Sequence, residues 1–297
     1  MPPAALPPEC APADVALHGF VVPLPPGGEV VGTYGGWRHG HLLVAAGRQA
    51  RLSVSWRRHA AAPDLARTLR RAGAGSEVGG IMGRQVGEEA LDACTWLGRW
   101  DAPAGTYHAL ARHLPTSGLT LVLRQLAPGS GAELTTLGAA VQGVHVNQAA
   151  PWRIYGLDLE LPSGWRLEGL QQLAGLVRGV WFHYGPRALR PDQALVMRRM
   201  ACAGRLLGDG SMRDWVRGGL GYGERATGEH EQDGVVRVST TAPATNWWRR
   251  WCGRHDQREI HAWRIAAGDR LMVQEWKGLG APLPCLRGAQ TAPGSSG

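Results

Sequence analysis

Trp96-Leu97-Gly98-Arg99-Trp100, with His108-Ala109 downstream, recurs as Trp247-Trp248-Arg249-Arg250-Trp251, with His261-Ala262 downstream. Two further pairs precede it in the same order. Pro63-Asp64 leads to Arg70-Arg71 as Pro191-Asp192 leads to Arg198-Arg199, and Gly19-Phe20-Val21-Val22-Pro23-Leu24-Pro25 opens one half as Gly156-Leu157-Asp158-Leu159-Glu160-Leu161-Pro162 opens the other. Three landmarks in one order imply an internal duplication. A length of 297 residues suits two domains of about 150 residues each.

Outward from the tryptophan motif, local patterns assign the elements. Phe20–Leu24 reads as a strand, followed by the turn Pro25-Pro26-Gly27-Gly28. Arg51–Trp56 alternates, placing Leu52, Val54 and Trp56 on one face. Pro63 and Asp64 suit the first turn of a helix that Gly73 or Gly75 ends. Residues 73–93 look irregular, and Thr95–Trp100, Thr106–His113 and Leu119–Leu126 then form a meander, closed by a helix over Glu133–Val146. The second half repeats this with a strand at Tyr155–Leu161, a strand at Leu176–Tyr184 and a helix at Pro191–Ala203. Its meander runs through Asn246–Cys252, Glu259–Ile265 and Asp269–Trp276. The expected class is α+β: two tandem repeats, each an antiparallel sheet (strand pair, helix, three-stranded meander) packed on helices. The expected boundaries are a flexible arm at 1–17, one repeat at 18–148, a second at 149–287 with an insertion at 205–240, and a disordered tail at 288–297.

The net charge of +8, carried mostly by Arg, favours an acidic partner: nucleic acid, anionic lipid or acidic protein. Five cysteines at wide spacing form no C-x-x-C pair and argue against a disulfide framework. No signal peptide and no membrane-spanning apolar run is visible, so a cytoplasmic, soluble protein is expected. Thirteen Trp against two Phe suggest rings at faces and rims, since the indole N–H wants a partner.

Chemistry concentrates after residue 246. Trp247, Trp248, Arg249, Arg250, Trp251 and Arg254 interleave aromatic and basic groups, as single-strand nucleic-acid binders do. With Trp96, Arg99 and Trp100 they are the candidate binding residues. Cys252, His255 and His261 are the candidate metal ligands, and Cys252, His255 and Asp256 the candidate catalytic residues. No phosphate loop, nucleophile elbow or H-E-x-x-H is present, and no cofactor is expected.

The element order, with opening strands running into Pro162-Ser163-Gly164-Trp165 and Pro25-Pro26-Gly27-Gly28, resembles the superfamily of PsbP, the Ran-binding Mog proteins and the bacterial DcrB-like proteins. That resemblance covers roughly 19–146 and 156–280. It implies a sheet packed on helices without a built-in active site, and its Eag-type branch of type VI secretion chaperones holds apolar segments of effectors. The function expected is a non-enzymatic protein-binding scaffold, adaptor or chaperone subunit of a larger bacterial assembly. The alternatives are a nucleic-acid-binding module using the Trp/Arg strand and a Cys/His- or metal-dependent enzyme in the second half.

Overall fold

The computed structural model describes residues 14–74, 84–145, 148–185, 191–220, 224–243, 255–266, 268–278 and 283. Of these, 61% are in strands and 14% in helices. The α+β expectation is therefore corrected: each half is built on a large antiparallel sheet with short helices added. By contacts the chain divides into Met1–Ser163 and Gly164–Gly297.

The N-terminal unit begins with a hairpin, β1 (Asp14–Leu17) and β2 (Phe20–Pro23). A meander follows: β3 (Gly28–Gly35), β4 (His39–Ala46) and β5 (Gln49–Arg58). Helix α1 (Leu65–Ala74) leads to a second meander of β6 (Arg84–Asp92), β7 (Thr95–Ala102), β8 (Gly105–Leu114) and β9 (Leu119–Gln125). Helix α2 (Gly131–Ala140), β10 (Gln142–Gly143) and a hairpin of β11 (Ala150–Ile154) and β12 (Leu157–Leu161) complete it. The large sheet has the order β3-β4-β5-β9-β8-β7-β6, and the short strands form a second sheet, β10-β2-β1-β11-β12.

The C-terminal unit carries β13 (Trp165–Leu173), β14 (Leu176–His183), β15 (Gln193–Ala201), α3 (Ala203–Leu207), α4 (Met212–Gly218), β16 (Arg225–Gln232), β17 (Val235–Pro243), β18 (His255–Ile265) and β19 (Arg270–Gly278). Its order is β13-β14-β15-β19-β18-β17-β16, the same as in the first unit.

This register sorts the landmarks. The Gly19 and Gly156 stretches coincide, as β2 and β12. Each follows a two-residue turn, His18-Gly19 (φ 52° and 85°) and Tyr155-Gly156 (φ 51° and 70°). Two successive positive φ angles make the turn that matches strand twist, and glycine accepts one of them without cost.

The other two landmarks do not coincide. Pro63-Asp64 opens α1, with the Asp64 carboxylate accepting from the Arg67 N–H (2.9 Å). Pro191-Asp192 opens strand β15. The helix expected over 191–203 is a strand because Leu195 and Met197 alternate into the core while the backbone pairs with β14 and β19 on both sides. Asp192 there accepts from the His183 ring (2.7 Å). Pairing also makes Val236 and Thr240 of β17 the counterparts of Trp96 and Trp100 of β7. The stretch 205–240 holds α4, β16 and most of β17, which stand where α1, β6 and β7 stand. Residues 84–92, read as irregular, are strand β6.

Both units share a detail at the outer strands. Each edge strand of the two large sheets leaves one residue unpaired just before a glycine: Val31 before Gly32, Val86 before Gly87, Glu168 before Gly169 and Thr227 before Gly228. Such a bulge bends the strand and increases its twist.

Most tryptophans are core. Of the ten described, Trp56, Trp100, Trp152, Trp165, Trp181, Trp263 and Trp276 are buried and the other three half-buried. Several rings lie flat on strand glycines. A Cβ at Gly98 would stand 2.5 Å from the Trp100 ring, at Gly179 2.2 Å from Trp181, and at Gly40 2.4 Å from Trp56. In this packing glycine makes room for the bicyclic ring, while Trp37, Trp96 and Trp215 stay part-exposed.

In the N-terminal unit the two hairpin turns each plant an aromatic on the large sheet. His18 stacks on Trp56 (4.9 Å) and meets Trp152 edge-on (5.6 Å), and Tyr155 Oη lies 3.2 Å from Thr33 Oγ1. Arg58 ties this corner down. Its guanidinium lies 3.6 Å over the Trp37 ring and donates to the carbonyls of Trp37, Ser117 and His18.

Candidate binding face

In the C-terminal unit, α3 and α4 cover part of one sheet face. Ala203 and Val216 pack there on Val236, Val238, Ile260, Ala262, Leu271 and Val273, all from β17–β19. The same face continues across β15 and β14, where the side chains are half-buried, and onto β13, where Gln171 and Leu173 are exposed. Along β14, Leu176, Arg178, Val180 and Phe182 point to it, while Val177, Gly179 and Trp181 point to the sealed face. Period-two alternation on a strand produces this division.

Cross-strand pairing arranges the open half in rows. Arg166, Phe182, Ala194, Lys277 and Arg258 form one row; Gly169, Val180, Val196 and Glu275 the next; Gln171, Arg178 and Arg198 a third. An apolar pair, Val180 opposite Val196, thus lies between two rows that carry cations. Glu275 accepts from Arg198 (2.9 Å) and pairs with Arg258 (3.0 Å), which also binds Glu224. Arg178 reaches Gln171 at 3.4 Å and meets no carboxylate among the described residues. The Arg166 guanidinium lies 4.7 Å over the Tyr184 ring. Burial first, then Glu168, pushes the Tyr184 phenol above its usual range.

The N-terminal unit has the same half-covered face with different chemistry. Helix α1 sets Leu65 and Leu69 on Trp100, Ala109, Ala111 and Val122. Beyond them, Leu43, Ser53 and Arg124 occupy the register positions of Val180, Val196 and Glu275. Tyr34 is 70% exposed with its ring 5.5 Å from His41. Arg124 is buried, and that burial lowers its guanidinium pKa.

The residues singled out from sequence fall elsewhere. Trp96 and Trp100 pack under α1, and Arg99 is exposed on the opposite face. Trp247, Trp248, Arg249, Arg250, Trp251, Cys252 and Arg254 lie outside the described residues. His255 and Asp256 open β18 and His261 lies six residues on, so the two histidines stand about 20 Å apart along one strand. Among the described residues no group of three His, Cys, Asp or Glu side chains has metal-site geometry. His261 is instead bound to Glu259 (2.6 Å), which also receives Arg237 (2.7 Å). Burial lowers the His261 pKa against the opposing pull of Glu259. The open face is not visible in the sequence, where Pro191–Ala203 reads as a helix and the pairing of β15 is not apparent.

Comparison with known protein families, characterised proteins and solved structures gives no match for this chain. Among the described residues no helix is long and apolar enough to cross a membrane.

Proposed function

We propose that this protein is a non-enzymatic protein-binding module, and that a partner docks on the open half of the helix-bearing face in the C-terminal unit. The observation that carries this reading is the half-buried strip Val180, Val196, Phe182 and Ala194, flanked by arginines and left uncovered by α3 and α4. Apolar side chains with Arg at their border are the composition of interface cores. The described part of this face brings together no nucleophile and base. Its ionic network, Arg198–Glu275–Arg258–Glu224, holds the strip in place.

The test is capture from host lysate by the tagged full chain, with and without nuclease, beside the double variant Val180→Asp/Val196→Asp. A stoichiometric protein that survives nuclease and is lost from the variant is the expected result, with the variant's circular dichroism unchanged. A partner held equally by the variant, or nucleic acid alone, would overturn the reading.

A further inference from the structure

We infer that Arg199 of β15 and Arg270 of β19 form an oxyanion site, in which a phosphate group is held between two guanidiniums. The site lies at the solvent-facing end of the sealed side of the C-terminal sheet. That is the opposite side from the docking strip, so either reading stands without the other.

Alternation fixes both side-chain directions. Leu195 and Met197 precede Arg199 on the face that β15 turns to the core, and Met272, Gln274 and Trp276 follow Arg270 on the same face of β19. Arg199 stands opposite Met272, and Arg270 opposite Ala201. The two arginines are therefore diagonal neighbours, about 7–8 Å apart at the backbone and within reach of each other through long side chains. Arg199 is half-buried between Val177 and Met272, which are both buried. Ala201 is small and exposed, so its side chain does not fill the corner between the two guanidiniums.

Two like charges in such a corner call for a counter-charge, and the described residues supply none. Neither arginine has a hydrogen bond or ion pair among them. Every Asp and Glu from residue 164 onward is described. Glu259, on the same face, is taken by His261 and Arg237. Asp269, next to Arg270 in sequence, accepts from Arg264 and the Gly204 N–H. Asp233, in the β16–β17 turn, is engaged elsewhere. Burial lowers the Arg199 pKa and Arg270 lowers it further, with no carboxylate pulling the other way.

The N-terminal unit shows that the sheet plan does not require charge here. By register, Trp56, Arg58 and Leu119 occupy the positions of Arg199, Ala201 and Arg270. There the His18 ring stacks on Trp56 and Arg58 donates to three backbone carbonyls, which closes the corner. In the C-terminal unit the same corner holds two cations and an alanine. Two guanidiniums match a dianion. A tetrahedral phosphate offers oxygens to a fork on either side, whereas a planar carboxylate is satisfied by one fork. Half-burial strengthens the attraction over its value in water.

Isothermal titration calorimetry of the full chain in chloride at physiological ionic strength tests this, with inorganic phosphate, glycerol 3-phosphate and acetate as probes. At least one phosphate is expected to bind at least about tenfold tighter than acetate and to raise the thermal midpoint. Greater affinity for the ester identifies a phosphorylated molecule as the occupant, and the reverse identifies free phosphate. Arg199→Met and Arg270→Met should each weaken phosphate binding at least about tenfold. Each keeps an unbranched stem and removes one of two like charges, so the fold is retained, which circular dichroism checks. Arg205→Ala, which removes an exposed cation of α3 on the opposite face, should change nothing. Phosphates no tighter than acetate, binding unaffected by either Met variant, or equal weakening by Arg205→Ala would overturn the inference.

Discussion

His18 offers a direct test of the packing at the hairpin corner. Its ring is fully buried between Trp56 and Trp152, its Nδ1 has no hydrogen-bond partner, and its pKa is lowered from 6.5 to about 3. Desolvation is the larger cause and the nearby Arg58 guanidinium the second. The unfolded chain, with an ordinary imidazole, binds a proton between those two values while the folded chain does not. Stability is therefore complete above pH 6.5 and falls as the pH drops toward 3. At pH 5 the loss amounts to about 2 kcal/mol relative to pH 7.5. His59, His113 and His261 are shifted the same way, so the whole slope is not due to His18. The variant His18→Asn accepts the positive φ and removes the titration; it also removes the ring packing on Trp56 and Trp152, which lowers stability equally at both pH values and leaves the pH slope as the readout. Urea denaturation followed by Trp fluorescence at pH 7.5 and pH 5 should show a smaller pH loss in the variant, by about 2 kcal/mol. Should the variant be too weak for denaturation, NMR of labelled histidine in the native chain should find one imidazole neutral down to pH 5. Equal slopes, or a His18 that titrates near 6, would refute the burial argument.

Four further outcomes follow from the packing. Gly179→Ala drives a Cβ into the Trp181 ring and should cost about 1–3 kcal/mol in thermal or urea denaturation. Gly87→Ala, which meets open space, should stay within about 0.5 kcal/mol. Arg58→Met strips three backbone carbonyls of their donor and should cost about 3 kcal/mol, with faster hydrogen exchange at the β1–β2 turn. Ser211→Ala removes the N-cap of α4, whose hydroxyl accepts from the Asp214 N–H, and should cost about 1 kcal/mol by the same denaturation assay.

The hairpin landmark was legible because a two-residue turn demands its glycine and the flanking residues alternate, so local sequence carries the whole signal. The Pro-Asp pair misled because Pro suits the first position of a helix and of a strand alike. The residues of Gln193–Ala201 tolerate both forms, and only pairing to β14 and β19 decides between them. The tryptophan motif misled for a different reason. Trp96 and Trp100 share a face beneath α1, whereas their register counterparts are Val236 and Thr240, and the large ring packed on the cluster that holds Val236 is Trp215 of α4 itself. The candidate face was hidden because it depends on sheet order. Val180 and Val196 lie in separate hairpin arms, and which face a short helix leaves open is not written in either strand.

The four bulged edges bear on how such a chain reaches its native state. A molecule that contains one sheet plan twice offers its own strands two sets of nearly equivalent partners while it folds, and exchange between the copies is the characteristic error of tandem repeats. An outer strand with an unpaired residue in its middle cannot extend a straight ladder with a strand from the other copy, since everything past the bulge falls out of register. Each large sheet thereby keeps its outer ladder to itself, while the two opening hairpins share one sheet through β1 and β11. That leaves the helix-bearing faces free to diverge, as Leu43, Ser53 and Arg124 have from Val180, Val196 and Glu275, without loosening the assembly of either half.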